Sequence, residues 1–377
     1  MTCRYSEKCG GCSLRNLNEE EYRRLKCEQF ARLMAKIKQP DIVIESPIFI
    51  ADGSRRRAEF AFLFRKGTLS MGFNAASSHE LIDIDYCCSL TEKINNNLSK
   101  IKQFLQKICL IKINRKIKNK IQTDNISSGK IFITQAANGL DLLLEIEQPL
   151  SLEHRLEAGD FIRENPDIVR ISVSSANNLP ETIVENTKPY IDICGYSVFI
   201  PAGTFLQASN ESQNALIFLV KSYLGDTKGN IADLFCGIGT FSYPLSADMT
   251  NKITAVDSSP ELLSGFRQTL NALTIPNVEI QQKNLFKYPL TPEELKNFAA
   301  VIFDPPRAGA ATQVAQIALM NKADKPQKIV AVSCNPNTFI NDANTLIAAD
   351  YKLTKTTMVD QFPYTNHYEL VALFEKN

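Results

Sequence analysis

Two residues toward the C-terminus have the chemistry of a nucleophile and a base. Cys334 stands in Ser333-Cys334-Asn335-Pro336, just after the β-forming run KIVAVS, and Glu369 follows Phe362-Pro-Tyr-Thr-Asn-His367-Tyr368 at the start of the run ELVALFE. A thiol attacks carbon as its thiolate, and a carboxylate can take up the proton such an addition later releases. A cysteine after a strand is by itself more often a packing residue than a nucleophile, so its neighbours decide the matter.

A third segment, Asp304-Pro305-Pro306-Arg307, ends the run AAVIFD. Its two prolines stiffen the backbone and remove donors, leaving a fixed edge for a flat ring. Upstream, Asp233-Leu-Phe235-Cys-Gly237-Ile-Gly239 ends the run NIADLF, and Asp257 comes 24 residues after Asp233. A glycine turn lets backbone approach a nucleotide, and an acid ending the next strand can bind ribose hydroxyls. Nicotinamide dinucleotides and S-adenosylmethionine compete for such a loop. Ser242 occupies the place of the third glycine, where a dinucleotide needs a close helix N-terminus for its pyrophosphate. S-adenosylmethionine has no phosphate to cradle, so a methyl donor is expected. With a thiol and a carboxylate in the same cleft, the chemistry expected is methylation of a pyrimidine. Carbon 5 of uracil becomes nucleophilic only after a thiolate adds to carbon 6, and a base must then remove the carbon 5 proton before the thiolate can leave.

These residues need a scaffold that brings strand ends together. NIADLF, KITAVD, NVEIQQ, AAVIFD and KIVAVS alternate with helical stretches at 241–248, 260–273, 291–297 and 311–322, and YKLTKTTMV and YELVALFE close the set. That pattern predicts an α/β fold with a doubly wound, Rossmann-like sheet over residues 186–377, with ligands beyond the carboxyl ends of its strands. Residues 51–185 carry short β-rich runs cut by Asp-Gly, Lys-Gly and Ala-Ser turns, with a helix at 92–108, and read as a central, mainly antiparallel region. Residues 1–50 hold Cys3, Cys9 and Cys12 in C-x5-C-x2-C, followed by a helix at 18–38. With Cys87 or Cys88 they could supply four thiolates to a zinc ion or an iron–sulfur cluster.

The 377 residues carry 42 basic against 41 acidic side chains, so net charge gives no argument for a nucleic-acid partner. Local clusters do. Arg55-Arg56-Arg57 is one, and Lys102, Lys107, Lys112, Arg115, Lys116, Lys118 and Lys120, uninterrupted by acids, form the other. The hydrophobic share of 44% fits a folded core. No stretch of about 18 uncharged apolar residues occurs and the N-terminus has no apolar leader, so neither membrane spanning nor secretion is expected. Ten cysteines without a leader suit a cytoplasmic, reduced protein, and a monomer is expected.

Five segments in order resemble the RNA uracil-C5 methyltransferase family: Phe205-Leu-Gln207-Ala-Ser-Asn210, Asp233-Leu-Phe-Cys-Gly-Ile-Gly239, Asp304-Pro-Pro-Arg307, Ser333-Cys-Asn-Pro336 and Phe362-Pro-Tyr-Thr-Asn-His-Tyr-Glu369. The resemblance covers residues 200–377. It departs at Asn366, where a histidine is common, and at Thr240, where glycine or asparagine is frequent. It implies a class I methyltransferase fold, Cys334 as nucleophile and Glu369 as base. Gln207, Phe235, Gly237, Asp257 and Asp304 would hold S-adenosylmethionine or border the target base. The N-terminal cysteines resemble those of the family's iron–sulfur branch, which implies a [4Fe-4S] cluster on Cys3, Cys9, Cys12 and Cys87. The short N-terminal plan resembles the branch that modifies uridine 747 of 23S rRNA. Uridine 1939 of that RNA and uridine 54 of tRNA are the alternatives, and a non-catalytic RNA-binding or ribosome assembly protein is the alternative of another class.

Overall fold

A computed structural model describes residues 3–117, 120–175 and 178–377, without the side chains of 114–122. Two compact units emerge. The first is Met1–Asn16, Ala51–Ile191 and Ile200–Ser209; the second is Leu17–Ile50, Asp192–Phe199 and Asn210–Asn377. The segment 1–50, expected as one piece, thus contributes to both. Cys3, Cys9 and Cys12 join the first unit, where Gly10 N donates to Asn74 O at 3.0 Å. Its helix, Glu19–Met34, joins the second because Phe30, Leu33 and Met34 belong to that unit's core.

The first unit is built on a seven-stranded sheet ordered Glu181–Glu185, Ile168–Ser174, Leu140–Glu145, Ser128–Gln135, Arg57–Arg65, Thr68–Asn74 and Leu81–Asp83. All neighbours are antiparallel except Leu140–Glu145 and Ile168–Ser174. Alternation sets the buried face: Ala58, Phe60 and Phe62 of one strand point into the core. Helix Leu98–Leu110 covers it with Leu98, Ile101, Leu105 and Ile108, the spacing of one helical stripe. Helix Leu152–Glu164 joins it through stacked Phe104 and Phe161 rings, centroids 4.4 Å apart.

The second unit is the doubly wound part. We label its strands β1 (Gly229–Leu234), β2 (Asn251–Asp257), β3 (Val278–Gln282), β4 (Ala300–Phe303), β5 (Lys328–Ser333), β6 (Tyr351–Asp360) and β7 (Glu369–Lys376). Their order is β3-β2-β1-β4-β5-β7-β6, with β7 antiparallel to both neighbours and the rest of the β1–β5 ladder parallel. Strands covered on both faces must be apolar throughout, and β4 is buried at every position. The order reverses between β1 and β4, which opens a crevice beyond their carboxyl ends. Val43–Ile44 and Ile48–Phe49 extend the sheet in parallel beyond β6. Helices Asn210–Leu224 and Pro336–Ala348 complete the layers.

Candidate active site

The turn after β1 is shaped by three left-handed residues: Phe235 at φ +60°, Gly237 at +56° and Gly239 at +91°. A side chain is strained in that region. A Cβ on Gly239 would also lie 2.4 Å from the Phe266 ring, whereas one on Gly237 would meet nothing within 4 Å. The turn thus packs tightly at Gly239 and is open at Gly237. Gly239→Ala is expected to destabilise the protein by about 1–3 kcal/mol, read as a lower midpoint in denaturant. An unchanged midpoint would remove the tight packing from the explanation.

Carboxyl groups surround this turn. Asp257 ends β2 and accepts from Gly237 N at 3.0 Å on one oxygen and Ser259 N at 2.9 Å on the other. Asp233, on β1, is buried and accepts from Ser242 Oγ at 2.6 Å. Burial pushes its carboxyl up to about 7, and neighbouring Asp304 and Asp257 act in the same direction. Burial likewise pushes Asp304, one residue beyond β4, up to about 7. Acids gathered in this way favour a cationic ligand, since Asp304 and Asp257 both raise the cost of ionising Asp233. Phe235 packs against Phe286 with centroids 5.4 Å apart, and Phe286 is 40% exposed. Phe286 was not singled out in the sequence, although its position just after β3 follows the same strand-end rule as the others.

Cys334 and Glu369 meet through strand register. Ser333, the last residue of β5, pairs with Leu370 of antiparallel β7, so Cys334 and Glu369 flank the last pair of this ladder, and the two are within electrostatic range of each other. Asn335 then caps helix Pro336–Ala348 by accepting from Asn337 N at 3.1 Å, while its Nδ2 donates to Arg307 O at 2.8 Å, tying the β4 and β5 ends together. Burial pushes the half-buried Cys334 thiol up to about 11; Glu369 and Asp304 add to the shift and Arg307 opposes it. Glu369 is buried, accepts from Gln361 Nε2 at 2.8 Å on Oε1, and has no hydrogen-bond partner for Oε2 among the described residues. Burial raises its carboxyl well above the carboxylate range, with Asp304 adding and Gln361 and Arg307 opposing. A buried oxygen left unpaired beside a thiol is where an exchangeable proton of a bound ring could be received.

The tRNA (uracil-5-)-methyltransferase family profile matches residues 195–377. Over 98% of its length the chain is 33% identical to a protein of Agrobacterium fabrum named as an RNA methyltransferase, and it spans 82% of that protein. The chain belongs to the RNA uracil-C5 methyltransferase family. Over 99% of its length this methyltransferase is also 28% identical to the 23S rRNA (uracil(1939)-C(5))-methyltransferase of Shewanella amazonensis, spanning 81% of it. The crystal structure of the Pyrococcus abyssi tRNA (uracil-54, C5)-methyltransferase with S-adenosyl-L-homocysteine shares its fold, at a TM-score of 0.73 and 21% identity over 99% of this chain and 86% of that one.

Other expected site residues of the methyltransferase lie in its first unit. Gln207 is there, its carbonyl accepting from Arg56 Nε at 3.1 Å. Arg56 is only 2% exposed, which corrects the reading of Arg55–Arg57 as a uniform phosphate-binding run: Arg56 joins backbone segments instead. Arg57 donates to Leu206 O at 3.1 Å and lies 5.0 Å over the exposed Phe205 ring. In the second basic run, Lys102 pairs with Asp83 at 2.5 Å and Lys107 with Glu157 at 2.9 Å. Lys118 lies outside the described residues.

The N-terminal cysteines are gathered but not closed onto a centre. Cys9 is within electrostatic range of Cys12 and Cys3, and Cys87 within range of the same two. Gly11 N donates to Cys9 Sγ at 3.4 Å, and Arg15 Nη2 lies 3.7 Å from Cys12 Sγ. Among the described residues, no three His, Cys, Asp or Glu side chains are arranged to hold a metal ion. The donor set itself, thiols with an arginine beside them, fits an anionic thiolate cluster. Among the described residues, no helix is long and apolar enough to cross a membrane.

Proposed function

We propose that the chain methylates carbon 5 of uridine 747 in 23S rRNA through a covalent adduct on Cys334. The observation that supports the chemistry is that Cys334 and Glu369 flank the Ser333–Leu370 pair at the end of the β5–β7 ladder, within electrostatic range of each other. Cys334 attacks as its thiolate, its proton having passed to solvent water, and forms a bond to carbon 6, moving the ring's electron pair onto the carbonyl as an enolate. S-adenosylmethionine, when bound, would supply the methyl group to carbon 5, which takes it with the enolate's electron pair, and S-adenosylhomocysteine would be the leaving thioether. Glu369 as carboxylate then takes the carbon 5 proton on Oε2, the double bond re-forms, and the bond to sulfur breaks. Gln361 keeps Oε1 occupied, so that Oε2 faces the ring.

Phe235, Gly237, Asp257, Asp304 and Gln207 are proposed to hold S-adenosylmethionine or border the base, with Asp257 on the ribose. Losing a charge-assisted hydrogen bond costs about 1.5–3 kcal/mol, so Asp257→Ala should weaken binding by about tenfold or more. Unaltered calorimetric affinity would refute that placement. Cys3, Cys9, Cys12 and Cys87 are proposed to carry a [4Fe-4S] cluster with a structural role, because their spacing and mutual proximity supply four thiolates.

A second substrate is favoured by similarity to the Shewanella amazonensis enzyme, whose name specifies uridine 1939. Mass mapping of 23S rRNA and tRNA from a strain lacking the gene distinguishes the positions. Loss of 5-methyluridine at 747 alone is expected; loss at 1939 or at tRNA position 54 would move the assignment, and loss nowhere would refute it.

A further inference from the structure

The connection between β6 and β7, residues 361–368, aims Glu369, yet the last strand pair before it is Val359 with Glu369. Beyond that pair another element must hold it. Helix Glu19–Met34 does so through Lys26, whose side chain is fully buried. Its ammonium donates to Thr365 O at 3.0 Å and His367 O at 2.6 Å, and Asp360 Oδ1 lies 2.9 Å away as its ion-pair partner. The Tyr22 hydroxyl donates to the other Asp360 oxygen. Its ring stacks on Tyr364 at 4.7 Å, where the backbone takes φ +61°. Phe30 meets Tyr368 edge-on at 5.9 Å.

We infer that Lys26, Asp360 and Tyr22 are positioning residues that hold Glu369 in place for proton removal, an inference resting on the proposed role of Glu369. Asp360 adjoins Gln361, and His367 and Tyr368 lead directly into Glu369. The clamp therefore fixes both partners of the Gln361–Glu369 hydrogen bond. A buried ion pair is seldom more stabilising than apolar packing of the same volume, so stability alone does not explain three polar groups in this place. Cys334 is carried separately by β5, Asn335 and the Arg307 backbone. Loosening the clamp should consequently slow the step that uses Glu369 and spare the step that uses the thiol.

The test compares wild type, Lys26→Met/Asp360→Asn and Tyr22→Phe. The double variant removes both charges together and leaves neither buried alone. Each protein is given S-adenosylmethionine with two transcripts of 23S rRNA, one natural and one containing 5-fluorouridine. Trapping on the fluorinated RNA reports adduct formation, because fluorine cannot leave as a cation. Release from natural RNA reports proton removal. For the double variant, trapping should stay within about threefold of wild type while release slows by about tenfold to a hundredfold, the scale on which small misplacements act. A methylated protein–RNA band should then build up on denaturing gels. Equal slowing of trapping and release, or unaltered release, overturns the inference. Should the double variant not fold, Tyr22→Phe, which keeps both charges and the ring, must show the same split in milder form; unaltered release there overturns the inference equally. Methylation of the natural transcript by wild type with no trapping on the fluorinated one would instead refute the covalent reading on which it rests.

Discussion

Replacing Glu369 with glutamine should leave the enzyme attached to methylated RNA. The amide keeps the size of the side chain and can still meet Gln361, but it cannot accept the carbon 5 proton. Addition and methyl transfer precede that step, so the adduct forms and stays. Loss of a general base lowers turnover by about 10²–10⁴-fold, and here the loss falls on release alone. Cys334→Ala should fail differently, forming no adduct and no methylated product, because carbon 5 is never activated. Denaturing gels with RNA labelled through the methyl group separate the two outcomes. Glu369→Gln that gave neither adduct nor product, or Cys334→Ala that still methylated RNA, would contradict the assignment of steps.

Anaerobically purified protein should be brown and carry about four irons per chain. The second-largest effect is expected on substituting its ligands. Cys12→Ser should abolish the iron and lower the thermal midpoint, since a cluster would cross-link the segment before Asn16 to Cys87, adding to contacts such as Gly10 to Asn74 and Arg15 to Asp52. Cys87→Ser should do the same and Cys88→Ser should not, because Cys87 is within range of both Cys3 and Cys12. Stoichiometric zinc without iron would replace the cluster with a structural zinc site. Retention of iron in Cys87→Ser with loss in Cys88→Ser would move the fourth ligand.

Much of the second unit was legible in the sequence because its strands are covered on both faces and end in distinctive residues. Asp257, Asp304 and Cys334 all fall at or one step beyond a strand end, as periodicity implied. The helix at Pro336–Ala348 is less legible, although Asn335 and Pro336 form a cap and a first turn, because the same Cys334-Asn335-Pro336 residues also fit a loop that presents a thiol. Helix Leu152–Glu164 was also missed, since Leu152 and Leu156 are exposed and Gly159 interrupts it, which blurs an amphipathic pattern. The Lys26–Asp360 pair could not be read at all. Nothing local links residues more than three hundred positions apart, and a lysine in a helix with acids in its first turn looks like an ordinary solvated face. The burial of Arg56 was hidden for the same reason: its partner is the backbone at Gln207.

The most direct measurement is the site of attachment in the trapped complex. Wild-type protein is incubated with S-adenosylmethionine and 23S rRNA containing 5-fluorouridine, then digested with nuclease and protease and sequenced by mass spectrometry. The covalent mechanism predicts one peptide, containing Cys334, that carries a nucleotide with both fluorine and a methyl group at carbon 5. A nucleotide on any other residue, or methylated RNA formed with no attached peptide, would contradict it.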